Sequence, residues 1–268
     1  MRFFGSSKPR DVDRLRSADP NVRSAAADAV GIEGDLTAVQ PLCGLLQDSD
    51  AQVRWSAAQA LGRLRDARAV KPLFAAAVSD PRLSVRSAAS EAIVQIGEPA
   101  VAILIGRLPG WVAAEILGRL GDRRAVQPLI DTLPIHAAIV ALGELGDPRA
   151  VDPLIEILRG EDLLDRAAAA RSLAAIGGPR AFEPLVAILD DPRDDDFGDW
   201  RETTVAALGQ LGDARAVEPL ASRYRNADTS EPMRKAIARA LERLGGSPDQ
   251  GPDMAVARIT DERSAGAR

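Results

Sequence analysis

The chain has 268 residues, a formal net charge of −5, 46% hydrophobic residues and only 3% aromatics. This length suits one large domain or two small ones, with a core drawn mostly from Ala, Leu, Val and Ile. The acidic balance argues against a general nucleic-acid binder, which needs a basic footprint to displace counterions from phosphates. The single cysteine, Cys43, excludes an intrachain disulfide and a cysteine-based zinc site.

In chain order, residues 1–9 read as an N-terminal arm. MRFFGSSKPR has charges but no following apolar run, so it does not read as a signal peptide. No stretch of about 18 apolar residues follows anywhere, so no membrane span is expected and the simplest address is the cytoplasm. Cys43 lies in PLCGLL, a helical context in which a buried packing thiol is expected.

From residue 10 to 246 one block recurs. An acidic turn is followed by Arg-Ala-Val-x-Pro-Leu, as in RDARAVKPL (65–73), GDRRAVQPL (121–129), GDPRAVDPL (146–154) and GDARAVEPL (212–220). The proline column runs Pro41, Pro72, Pro128, Pro153, Pro184 and Pro219, with Ile103 substituting once. Each block predicts two helices. Proline falls in the first turn of the first helix, where its missing N–H leaves no bond unmade. Asp66, Asp122, Asp147 and Asp213 stand upstream as N-caps.

The second helix is clearest in VRWSAAQALGRL (53–64). Val53, Ala57, Ala60, Leu61 and Leu64 share one apolar face. The glycines of Ala-Leu-Gly and Gly-Asp are expected to stop it. One such hairpin cannot bury its apolar face alone, and stacking neighbours does that.

The two central repeats are short, with inter-helix turns reduced to LPGW (108–111) and LPIH (133–136). Shorter helices and a local change of curvature are expected there. Repeat seven is long at its turn, DDPRDDDFGDW (190–200), where Asp194, Asp196 and Asp199 are a weak candidate metal set. The spacing does not match an EF-hand loop, and a solvated acidic loop or a docking surface for a basic partner is the preferred reading. Residues 247–268 lack apolar periodicity and read as a disordered tail.

The pattern resembles HEAT repeats of the short bacterial type, first noted in phycobilisome lyases, over about residues 10–246. The resemblance implies an all-α, right-handed α-solenoid of about seven stacked two-helix repeats. It also implies that the second helices line the concave side. In register, Trp55, Trp111 and His136 then share an outward column, with Gln59, Glu91 and Glu115 in the next and Arg63 and Arg119 in a third. Aromatic anchors ringed by Arg and Glu have the composition of interface hot spots. These eight residues are the candidate partner-binding face. A second regular column, Arg23, Arg54, Arg86, Arg166, Arg201 and Arg234, reads as a structural ladder, with turn acids such as Asp50 and Asp80 as acceptors.

Catalytic signals are missing from the sequence. His136 is the one histidine, and neither GxSxG nor a P-loop occurs. Deoxyhypusine hydroxylase, also of HEAT type, needs repeated His-Glu pairs that this chain lacks. HEAT-like DNA glycosylases invite comparison at Trp111 and Glu115, but the interspersed acids oppose DNA. The expectation is a non-catalytic scaffold or adaptor that binds a protein partner and takes no cofactor, no nucleic acid and no membrane. A phycobilin lyase or chromophore chaperone is the alternative. Oligomeric state is left open.

Overall fold

The computed structural model describes residues 11–190, 200–226 and 228–247. The arm expected over 1–9, the acidic run 191–199 and the tail beyond Ser247 lie outside them, as do Asp194, Asp196 and Asp199. The described chain is helical throughout and contains no strand, an all-α solenoid of paired helices. It opens with α1 (Asp11–Arg14) and α2 (Pro20–Glu33). Seven pairs follow: α3 (Val39–Leu45) with α4 (Ala51–Leu64), α5 (Val70–Ser79) with α6 (Leu83–Ile96), and α7 (Val101–Ile105) with α8 (Trp111–Leu120). Then come α9 (Val126–Ile130) with α10 (His136–Leu145), α11 (Val151–Arg159) with α12 (Leu163–Ile176), α13 (Phe182–Ala187) with α14 (Trp200–Leu211), and α15 (Val217–Arg225) with α16 (Glu231–Arg243). The chain divides into two compact units, Met1–Ala125 and Val126–Arg268. In the first, α2, α4 and α6 stack in order, and α8 follows α6. In the second, α10, α12, α14 and α16 stack in order. Helix α2 belongs to the second-helix series, and among the described residues the four-residue α1 precedes it.

Each first helix opens through a short 3₁₀ turn. Asp66 accepts from the Arg68 N–H at 2.9 Å, and α5 begins four residues after Asp66, at Val70. Asp122, Asp147 and Asp213 accept in the same way from Arg124, Arg149 and Arg215. These aspartates therefore cap the 3₁₀ turn rather than the α-helix itself. The column prolines occupy the third residue of their helices, still within the turn whose N–H groups have no intrahelical acceptor. Val and Leu three apart on each first helix point inward together, as Val39 with Leu42, Val70 with Leu73 and Val126 with Leu129, all 0% exposed. Burying one such side chain contributes roughly 1.5–3 kcal/mol.

The Ala-Leu-Gly glycines do not end the second helices, contrary to the sequence expectation. Gly62, Gly118, Gly143 and Gly209 lie inside α4, α8, α10 and α14. The stop comes three residues later, at Gly121, Gly146 and Gly212 with φ of 70°, 63° and 71°. In α4 the same position is Arg65, at φ 52°. The inner glycines serve contact. A Cβ on Gly62 would stand 2.9 Å from the Ala92 Cα of α6, and one on Gly209 would stand 2.9 Å from the Ala240 Cα of α16. Gly31 meets Ala60 and Gly143 meets Ser172 in the same manner. Glycine inside a helix costs about 1 kcal/mol against alanine. Here that cost is offset by backbones close enough for the alanine-rich second helices to close-pack.

The short repeats have the shortened helices their turns imply. α7 and α9 have five residues each and α8 and α10 ten, against fourteen in α4, α6 and α12. Among the described residues no single helix is long and apolar enough to cross a membrane.

Candidate partner-binding face

Helix α4 has four sides. Val53, Ala57, Leu61 and Leu64 point into the core, while neighbours α2 and α6 take Ala60 and Gly62. The remaining stripe, at spacings of four, is Trp55, Gln59 and Arg63. Trp55 and Gln59 are half-buried and Arg63 is exposed. Gly62, next to Arg63 in the chain, faces α6 and is buried.

The stripe is wired to its neighbours. Arg63 donates from Nη2 to Gln59 Oε1 at 3.2 Å, and its Nη1 lies 3.5 Å from Asp28 Oδ1 on α2. The Ser24 and Ser56 hydroxyls are 2.9 Å apart, and Ser56 donates to Asp28 at 3.4 Å. Two helices on, Arg119 of α8 donates to Glu91 of α6. Glu115 is exposed. Trp111, the first residue of α8, is 60% exposed, a large apolar area left in solvent. The first unit thus carries seven of the eight predicted residues. It joins Gln59 to Arg63 and Glu91 to Arg119, and it sets Trp55 and Trp111 on helices separated by α6.

His136 belongs to the second unit, as the first residue of α10. Its Nδ1 lies 2.8 Å from Asp165 Oδ1 on α12. The sequence reading missed this partner. A signal existed, because Asp165 occupies a register position that is Val22, Val53 and Val85 in sister helices. Cys43 stands in the other unit and is half-buried rather than fully buried; burial nonetheless pushes its thiol above the ordinary range.

The arginine column has its own geometry. Arg23 forks onto Asp48, with Nε and Nη2 each 2.8 Å from a carboxylate oxygen. Arg54 does the same to Asp80 and also donates to the Asp48 and Ser49 carbonyls. Arg86 donates to the Asp80 carbonyl at 2.7 Å. Asp80 is thus an acceptor as expected. Asp50 is not: it caps α4, accepting from the Gln52 and Val53 N–H groups. The hydrogen bond from Arg23 holds the Asp48 carboxyl below the usual carboxylate range. At Asp80, burial pushes upward, but the Arg54 hydrogen bond, the Arg82 N–H and nearby guanidinium charge together leave it lowered. Further along, Arg166 is fully buried with its guanidinium 4.1 Å from the Trp200 ring, and Arg201 lies 5.3 Å from the same ring. Arg234 donates to the Asn226 carbonyl. Trp200, at 4% exposed, is a core residue, unlike the other two tryptophans.

A second arginine series was not singled out from the sequence, although its motif recurs. Arg68, Arg124, Arg149 and Arg215 of Arg-Ala-Val clamp the capping aspartate of their own turn. Arg124 also reaches Glu98 of the preceding turn at 2.6 Å, and Arg215 lies over the Phe182 ring at 4.1 Å. Among the described residues no group of three or more His, Cys, Asp and Glu is placed to hold a metal.

Comparison with known proteins agrees with this architecture. The model for HEAT repeats matches residues 7–61, 44–109 and 135–199, together more than half of the chain. The model for the PBS lyase HEAT-like repeat matches 111–133 and 200–225. No curated protein sequence matches. Among solved structures, importin beta is similar at 17% identity and TM-score 0.50, over 89% of this chain and 40% of that one. The complex of CpcE and CpcF of phycocyanin lyase from Nostoc is similar at 23% identity and TM-score 0.36, over 91% and 99%. Human deoxyhypusine hydroxylase is similar at 21% identity and TM-score 0.37, over 88% and 83%. At such identities the likeness is one of fold alone. With its repeated Arg-Ala-Val-x-Pro-Leu helices and close-packed second helices, the chain belongs to the HEAT-repeat family.

Proposed function

We propose that the chain is a non-catalytic scaffold that binds a protein partner through the outward stripes of its second helices. The observation that carries this reading is Trp111, 60% exposed at the head of α8 in a chain that buries Trp200 almost completely. An indole left in water forgoes the large stabilisation that its burial provides. A partner surface recovers it, and the Glu91–Arg119 pair, with Arg119 about two turns further along α8, supplies a charged rim of the kind that surrounds hot spots. Trp55, half-buried among Gln59 and Arg63, is a second anchor.

The test is the double variant Trp55→Ala/Trp111→Ala of the full chain. Partners co-purified with the wild type from its own cells are quantified against the variant, with thermal melts run beside them. Loss of partners at unchanged melting supports the reading. Retention at wild-type levels removes these two residues from the interface. A chromophore lyase or chaperone is the second reading, favoured by the PBS lyase HEAT-like match over 111–133, which contains Trp111. A shifted bilin absorbance band on mixing supports it, and an unchanged spectrum discards it.

A further inference from the structure

We infer that the groove between α14 and α16 is a docking site for an acidic peptide segment of a partner protein. It lies in the second unit and is independent of Trp55 and Trp111. It is lined by Ala206, Ala236 and Ala240 together with Glu202, Thr203, Arg239 and Arg243. The open space is about 320 Å³, room for a few side chains and not for a folded domain. Gly209 brings α14 against Ala240 of α16, and a Cβ there would stand 2.9 Å from the Ala240 Cα. The small alanine side chains of the lining admit close approach of a peptide backbone.

The two arginines of the lining are uncommitted. Arg239 and Arg243 are exposed and form no ion pair with any described residue. In the first unit the matching stripes are neutralised internally, Arg63 by Asp28 and Arg119 by Glu91. Lys235, one turn before Arg239, adds to the same stripe, although Glu231 stands 3.4 Å from its ammonium. Arg171 is exposed at the equivalent register on α12. A chain of net charge −5 therefore carries a local cationic stripe at its second-helix face.

Spacing selects the ligand. Residues four apart on a helix rise about 6 Å. That interval matches carboxylates on alternate residues of an extended strand, which lie about 6.6 Å apart on one side. Guanidinium groups recognise carboxylates through forked hydrogen bonds. Glu202 on the opposite wall repels acids there, so the peptide's carboxylates align along α16 and its small residues meet the alanines. Single-stranded nucleic acid fits poorly, because no aromatic lines the groove for base stacking.

The experiment uses the full chain and a fluorescein-labelled peptide of about 12 residues alternating Glu and Ala, read by fluorescence anisotropy. Arg239→Glu/Arg243→Glu is compared with Arg159→Glu/Arg225→Glu, an equal charge change at exposed first-helix positions of the same unit. The wild type and this control should bind alike, with affinity falling as NaCl rises from about 50 to about 300 mM. The groove variant should lose at least about tenfold in affinity. Arg239→Ala/Arg243→Ala, with circular dichroism, serves if the reversed charges disturb folding. Equal binding by wild type and groove variants, or no binding by the wild type, overturns the proposal. So does tighter binding of a 12-mer of thymidylate than of the peptide, which would assign the groove to nucleic acid.

Discussion

Arg54 on α4 and Asp80, 26 residues later at the end of α5, are joined by two hydrogen bonds of 2.7 and 3.1 Å, with both side chains nearly buried. The same guanidinium donates to the Asp48 and Ser49 carbonyls, so one side chain ties the entry of its own helix to the next turn. Arg23 and Asp48 make the equivalent link one repeat earlier. The second-helix arginine thus carries register from repeat to repeat.

Removing one partner leaves a buried charge uncompensated. Asp80→Ala should cost about 3 kcal/mol, read from urea unfolding. Asp50→Ala, which removes only the α4 cap, should cost about 1 kcal/mol. Equal losses for the two variants would contradict the ladder geometry.

Acid should weaken these links. The hydrogen bond from Arg23 lowers Asp48, the Arg68 hydrogen bond lowers Asp66, and at Asp80 burial is overcome only by the Arg54 hydrogen bond, the Arg82 N–H and guanidinium charge together. A carboxylate lowered in the folded state contributes stability that is present above its unfolded value, about 3.9, and is lost as pH falls through the folded value. Stability should therefore hold above pH about 5 and decline below about 4. In Asp80→Asn the starting stability should be lower and the acid decline shallower. Unfolding midpoints measured from pH 7 down to about 2 check the sign.

The inner glycines should be less tolerant than the terminal ones. Gly209→Val places a branched side chain against the Ala240 backbone and should cost about 2–3 kcal/mol. Gly34, at φ 75° with nothing near its missing Cβ, should lose only about 1 kcal/mol on change to Ala. Paired thermal melts distinguish the two mechanisms.

The buried Trp200 and the exposed Trp111 should separate cleanly. Trp200→Ala empties a buried site stacked by Arg166 and should cost about 3–5 kcal/mol. Trp111→Ala removes a mostly exposed ring and should change stability by less than about 0.5 kcal/mol. A large loss for Trp111→Ala would mean its ring serves folding rather than a partner.

Much of the fold was legible because a repeat states its rules several times over. The proline column located the first helices, the apolar spacing of Val53, Ala57 and Leu61 located the second, and the shortened LPGW and LPIH turns gave the shortened helices. Glycine was misread, because a glycine that ends a helix and one that lets two helices touch look alike in sequence. Gly62 and Arg65 show the reversal, with glycine inside the helix and arginine at the left-handed stop. Asp50 and Asp48 also look interchangeable in the string DSD, and only the folded turn decides which caps α4 and which accepts from Arg23.

The sequence alone determined the helical period and the number of pairs, and it laid out the residue columns of the second helices, because these follow from local spacing along the chain. Tertiary structure decided which members of those columns are committed. Asp165 meets His136, Asp28 meets Arg63, and Arg239 and Arg243 meet no ionic partner among the described residues. Such pairings join residues some 25 to 35 positions apart, and their geometry exists only once the second helices have closed to backbone contact.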